Sequence, residues 1–160
     1  MSVICNCFNH QDYIEEALCS VMQQSYTNIE LIVLNNGSTD DSRQIISSFA
    51  EKNPSVTFID LPETQSHTIA FNIGFRASSG EFLIDLSGDD RLLPDGIQKQ
   101  INFFLKQEDN VGLLFGNAKK IDEKGRFFSD YFAVDENRHV LDKTLFNTDY
   151  SKILAGGLCM

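Results

Sequence analysis

The chain has 160 residues, with 13 Lys+Arg against 23 Asp+Glu, so its formal net charge is −10. That balance excludes a general nucleic-acid binder, which needs a basic stripe to displace counterions from phosphates. A 42% hydrophobic and 22% charged composition excludes a disordered chain, and no apolar run approaches the ~20 residues of a membrane span.

Ser2 to Phe8 is short, apolar and strand-like. From Asp12 to Gln24, Ile14, Leu18, Val21 and Met22 recur at helical spacing, with Asp12, Glu15 and Glu16 in the first turn where the helix dipole favours negative charge. Leu31 to Leu34 is a continuous apolar run, the mark of a strand covered on both faces. The turn-rich Asn35-Asn36-Gly37-Ser38-Thr39-Asp40-Asp41 leads into a helix carrying Ile45, Ile46, Phe49 and Ala50, which ends before Pro54. Val56 to Ile59 predicts a third strand, Thr68 to Ala77 a third helix, and Phe82 to Leu86 a fourth strand. A helix starts near Pro94 with Ile97, Ile101, Phe104 and Leu105 inside, and Val111 to Phe115 predicts a fifth strand.

Strands alternating with helices of this length imply right-handed βαβ units and a mostly parallel sheet. Residues 117–150 then change character, with hairpin-like turns at Glu123-Lys124-Gly125 and clustered aromatics. Residues 151–160 end on Leu154-Ala155-Gly156-Gly157-Leu158-Cys159-Met160, apolar to the last position, whereas a natural C-terminus is usually polar and loosely held, so the chain reads as cut in mid-domain. Of four cysteines, Cys5 and Cys7 would share one face of a strand, Cys19 lies in a helical pattern and Cys159 is penultimate. Without a CxxC pair, and with His10, His67 and His139 scattered, zinc-ligand spacing is missing, and packed thiols of a reduced intracellular protein are expected.

In an open parallel α/β sheet, ligands bind at the carboxyl ends of the strands, near a switch in strand order. Asn6 to Asn9, Asn35 to Asp40 and Ser87 to Asp90 are polar and directly follow apolar strands. The third carries adjacent carboxylates, which repel unless a cation or hydrogen bonds offset them. Oxygen ligands of this kind suit Mg²⁺ or Mn²⁺, which bridge carboxylates to substrate phosphates.

These segments also carry a family resemblance. Ser2-Val3-Ile4-Cys5-Asn6-Cys7-Phe8-Asn9 resembles SVIIPTYN, and Ser20-Val21-Met22-Gln23-Gln24-Ser25-Tyr26 resembles SVLNQTY. Glu30 to Asp40 is similar to ELIVVDDGSTD, and Asn72 and Gly74 fall on ARNxG. Gly80-Glu81-Phe82-Leu83 matches GEYI, and Ser87-Gly88-Asp89-Asp90 with Pro94-Asp95 falls on DxDD…PD. Over residues 2–100 the chain resembles the start of a family 2 glycosyltransferase. The resemblance implies a GT-A fold: a Rossmann-like three-layer α/β sandwich with a mostly parallel sheet, here truncated at the C-terminus. It further implies a nucleotide-sugar-binding part over residues 1–116, with 117–160 beginning an incomplete acceptor-side portion.

The implied activity is inverting, metal-dependent transfer of a sugar from a nucleoside-diphosphate donor, UDP-sugar foremost, to a hydroxyl of a saccharide or lipid-linked acceptor. It implies cytoplasmic action, at the inner face of the membrane, in polysaccharide assembly. Phe8, at the family's tyrosine position, would stack on the nucleobase, while Asn6 and Cys7 would line the base pocket through backbone groups. Asn36 would read the base edge, and Asn72 belongs to the same nucleotide-binding set. Asp89 would bond the ribose or help the metal, and Asp90 would bind the Mg²⁺ or Mn²⁺. Plainer roles compete: a strand-closing apolar residue for Phe8, a structural brace for Asn9, and an N-cap pair ahead of the Pro94 helix for Asp89-Asp90. His67 and Thr68 open the third helix, whose amides could face an anion.

Departures from the pattern are informative. The family's paired aspartates are Asn35-Asn36, and an amide both donates and accepts, so base identity stays open. Ser87 replaces the first acid of the metal motif, and Phe71 replaces the arginine of ARN. The general base of inverting members lies further along, in an ED context that residues 101–160 do not match. Glu108-Asp109 matches by letters alone, and Asp122 and Asp149 are candidates by chemistry but not by position, so the base is expected beyond residue 160. A catalytically impaired nucleotide-binding homologue is the alternative reading. A nucleotidyltransferase would need a Gly-rich basic loop after the first strand, which Asn6 to Gln11 is not, and a dinucleotide-binding Rossmann protein would need GxGxxG there. An apolar edge left by truncation would favour a homodimer.

Overall fold

A computed structural model describes residues 1–107, 111–114 and 116–132. The chain divides into two units, Met1–Gln107 and Glu108–Met160. In the first, β1 (Ser2–Cys7), β2 (Glu30–Asn36), β3 (Thr57–Leu61) and β4 (Leu83–Ser87) alternate with α1 (Ile14–Met22), α2 (Ser42–Lys52) and α3 (His67–Ala77), and α4 (Gly96–Phe104) follows. The sheet is parallel throughout, in the order β3-β2-β1-β4. The chain runs outward from β1 to β3 and then returns to the far side of β1, so strand order switches between β1 and β4.

Right-handed crossovers put α1 and α2 on one face and the returning α3 on the other. Both faces being covered, all six residues of β1 are buried, the polar Ser2 and Asn6 along with Val3, Ile4, Cys5 and Cys7. Ile4, Ile32 and Leu34 form the core under α3, joined by Ile59, Leu61, Phe71, Ile73 and Leu83. Full burial of each such side chain contributes about 1.5–3 kcal/mol. Gly74 lets α3 lie close to the sheet, because a Cβ there would stand 2.6 Å from Ile4 Cγ2. Cys5 and Cys7 share the opposite face as expected; burial pushes both thiols up, so they remain protonated packing groups.

The helix near Pro94 begins two residues later than the proline, since Asp95 occupies the N-cap. The fifth strand is corrected: residues 111–114 carry no regular structure, and Phe115 lies outside the described residues. An apolar run becomes a strand only where a neighbour pairs its backbone, and 111–114 enter no pairing among the described residues. The expected hairpin does form, with β5 (Lys119–Ile121) antiparallel to β6 (Phe127–Asp130) and Gly125 at φ 73° in its turn. The residues from 133 onward, including Cys159, lie outside the described residues. No helix among the described residues is long and apolar enough to cross a membrane.

Candidate functional site

The carboxyl ends of β1, β2 and β4 bring the three polar segments to one edge, astride the switch in strand order. Two of them are fastened by short hydrogen bonds. Asn9 adopts φ 57°, a left-handed conformation that Asn tolerates better than most residues. Its N–H donates to Ser38 Oγ at 3.1 Å and its Oδ1 accepts from Thr39 N–H at 2.8 Å, so the bracing role is its role here. Gln11 N–H donates to Asp40 Oδ2, and Asp41 N–H to Gln11 Oε1, both at 3.0 Å. The third segment continues the β1–β4 ladder, with Gly88 N–H on the Asn6 carbonyl at 2.9 Å, before Asp90 N–H closes a turn onto Ser87 O at 3.1 Å.

Phe8 follows β1 and is 41% exposed, so its ring is a surface at the strand ends and not a core plug. Asn6 is buried on the α3 side of β1, and its Oδ1 has no hydrogen-bond partner. The Cys7 side chain turns the other way, towards Ser42 at the start of α2. Asn36 is 4% exposed; its Nδ2 donates to Gln65 O at 3.0 Å and its Oδ1 accepts from Gln65 N–H at 2.8 Å. Each group retains one further hydrogen-bonding position while Asn36 tethers the loop before α3. Asn35 is spent internally, donating to Asp60 Oδ1 at 2.8 Å and accepting from Ser38 N–H at 3.2 Å. Gly37, at φ 69°, brings these loops together: a Cβ there would lie 2.5 Å from Thr64 N.

Asn72 is not brought to this edge with the others. It is exposed in mid-α3, about 200° around the helix from the buried Ala70 and Gly74 at ~100° per residue. Asp89 is exposed and Asp90 half-buried. With Asp95 as the N-cap of α4, the pair does not cap that helix. Ser87 Oγ donates to Asp89 Oδ1. Among the described residues no group of three His, Cys, Asp or Glu is assembled for a metal. Two hard carboxylates are what a Mg²⁺ or Mn²⁺ shared with substrate phosphates requires, so the donor set fits such an ion completed by ligand oxygens.

Residue reading missed two groups. Asp85, a polar residue within an apolar strand, has a buried, unpartnered Oδ1, and its Oδ2 lies 3.5 Å from His67 Nε2 at the start of α3. Burial pushes its carboxyl up, with His67 pulling the other way. His10 lies beside Asp89, at 3.7 Å; its one signal was its place directly after Asn9. Among the candidate bases, Asp122 is engaged in the hairpin turn, accepting from Lys124 N–H, Arg126 N–H and Arg126 Nε. Asp109 and Asp149 lie outside the described residues.

The profile of Glycosyl transferase family 2 matches residues 2–155. The chain belongs to the family 2 glycosyltransferases. An uncharacterized glycosyltransferase of Haemophilus influenzae is 34% identical over 125 residues, 78% of this chain and 49% of that protein. A putative teichuronic acid biosynthesis glycosyltransferase of Bacillus subtilis is 29% identical, over 67% of this chain and 42% of that protein. The chain thus spans about half the length, or less, of these relatives. Among solved structures, TarS of S. aureus in complex with UDP-GlcNAc superposes with a TM-score of 0.59 at 24% identity, over 66% of this chain and 31% of that one. A mannosyltransferase from Pyrobaculum calidifontis in complex with GDP-Man and Mn²⁺ gives 0.60 at 24% identity, over 66% and 32%. Both share the family's α/β fold, the GT-A fold expected from the motifs.

Proposed function

We propose that the chain is the donor-binding part of an enzyme that moves a sugar from a nucleoside diphosphate to an acceptor hydroxyl, with inversion. The observation that carries this reading is the convergence of Phe8, Asn36 and the Asp89-Asp90 turn on one sheet edge at the switch in strand order. Phe8 presents a ring on which a base stacks, and Asn36 offers one free donor and one free acceptor position to its edge, UDP-sugar being the foremost donor. Asn6 and Cys7 would line the base pocket through backbone groups. Asp90, with Asp89, would hold Mg²⁺ or Mn²⁺, whose chemistry there is neutralisation of the leaving diphosphate. The acceptor is a saccharide or a lipid-linked molecule, handled in the cytoplasm at the inner face of the membrane. The acceptor's proton goes to a base from beyond residue 160, a reading supported by the fraction of the relatives' length that this chain spans. The apolar run at residues 154–160 suits a homodimer.

Calorimetric titration with UDP, CDP, GDP and dTDP, each with and without Mn²⁺, tests the reading. One nucleotide should bind in a Mn²⁺-dependent manner, and Asp90→Ala should abolish that binding. Millimolar nucleotide without any heat of binding would refute the donor site.

One observation favours a second reading, a nucleotide-binding homologue that has lost catalysis. Asn35 and Asn36, at the positions of the family's two aspartates, are both used as internal tethers. Donor binding equal to that of an active relative, with no sugar transfer by the complete protein, would select it.

A further inference from the structure

His10 has no part in the reading above, and its surroundings ask for one. Its Nδ1 is buried without a hydrogen-bond partner, which carries a desolvation cost, and Asp89 Oδ1 lies 3.7 Å away. The backbone that carries the ring is fixed on both sides. His10 N–H donates to Ser42 Oγ at 2.9 Å, and its carbonyl accepts from Tyr13 and Ile14 N–H at 3.0 and 2.9 Å. Gly88 leaves room for the ring against the end of β4, since a Cβ there would come 3.0 Å from Nδ1 and 3.1 Å from Cys7 Cβ. Asp89 Oδ1, the oxygen nearest the ring, is also the one that receives the Ser87 hydroxyl. The carboxylate is 47% exposed, so it can turn; a hydrogen bond to Nδ1 needs a closure of about 0.8 Å, to ~2.9 Å.

We propose that His10 is a positioning residue: its Nδ1–H, together with the Ser87 hydroxyl, holds Asp89 Oδ1 and leaves Oδ2 for the nucleotide or its cation. The role of Asp89 as a ligand contact rests on the proposed function, whereas the His10–Asp89 pairing does not. A neutral imidazole donates through one nitrogen only, so the pairing requires the Nδ1–H tautomer. Ser87 stands where the resemblance has an acid, and as a hydroxyl it can donate to Asp89 where an ionised carboxylate could only accept.

Two measurements on the full chain decide it. Long-range ¹H–¹⁵N spectra should report His10 as the Nδ1–H tautomer, reverting to Nε2–H in Asp89→Ala; an Nε2–H ring in the wild type, or no change in the variant, overturns the pairing. Free Mn²⁺ is then counted by electron paramagnetic resonance in titrations with UDP and with GDP. His10→Asn puts an amide nitrogen where Nδ1 stands, His10→Gln puts one where Nε2 stands, and His10→Ala neither. Loss of a ligand's supporting partner weakens metal affinity about 10–100-fold, the loss expected for His10→Ala and His10→Gln, with His10→Asn restoring most of it at equal thermal midpoints. His10→Asn as weak as His10→Ala overturns the proposal. A wild type that takes up no Mn²⁺ with either nucleotide refutes the donor reading and the ligand half of this one, while the tautomer still decides the pairing.

Discussion

Replacing Asn36 with Ala removes both hydrogen bonds to Gln65 and leaves that residue's backbone N–H and C=O without their side-chain partner. A buried group left unpaired costs about 1–3 kcal/mol, so Asn36→Ala should lower the urea midpoint and weaken nucleotide binding together. Binding lost at unchanged stability would assign Asn36 to the ligand alone. Asp85 gives a pH signature of the opposite kind to most carboxylates. Burial raises its folded pKa above the unfolded value, with His67 offsetting part of the rise. Its contribution is therefore most favourable at low pH and is lost as pH rises through the folded value. Asp85→Asn should raise the thermal midpoint at pH 7, the gain shrinking as pH falls below the ordinary carboxylate range. A lower midpoint at pH 7 would mean that the His67 pair outweighs the burial.

Between elements, the site's geometry depends on clamps remote from it in sequence. Gln24, 7% exposed after α1, donates from Nε2 to Ser20 O at 3.0 Å and Leu93 O at 2.7 Å, and accepts from Ile97 N–H at 3.1 Å. Ser25 N–H adds a bond to Pro94 O at 2.9 Å, so the segment following Asp90 is tied to α1. The other face of the sheet depends on Gly74. A methyl there meets Ile4 Cγ2 at 2.6 Å and Leu34 Cδ1 at 3.0 Å, both on fully buried side chains. Gly74→Ala should force α3 off the sheet and cost about 1–3 kcal/mol, the usual penalty of overpacking, read as a lower urea midpoint. An unchanged midpoint would mean that α3 is not seated as closely as described. Helix and strand positions here were legible from periodicity, whereas these clamps join residues up to 73 positions apart and leave no local pattern.

For the whole chain, the residues proposed to bind the donor all lie in Met1–Gln107. The chain spans 49% of the Haemophilus relative and 42% of the Bacillus one. A positioned general base contributes about 10²–10⁴-fold to such a transfer. The 160 residues are therefore expected to bind a nucleotide sugar and to transfer little or none of it to an acceptor, measured as sugar release against time. Turnover at a full enzymatic rate would place the base within this chain. Light scattering after gel filtration reads the homodimer, and a clean monomer counts against it.

By itself the sequence determined the alternation of strands and helices, the parallel sheet and the three polar strand-end segments, because burial on both faces and turn chemistry are written in neighbouring residues. It also carried the family, through motifs whose spacing is linear. Tertiary structure decided the rest. It spent Asn35 on Asp60, doubled Asn36 as a tether, left Asn72 on the outer side of α3, and withheld a strand from residues 111–114. It also set His10 against Asp89 and Asp85 beneath His67. These outcomes depend on which groups meet across parallel strands, and a hydrogen-bond partner or a neighbouring charge is a property of three-dimensional adjacency that no local pattern encodes.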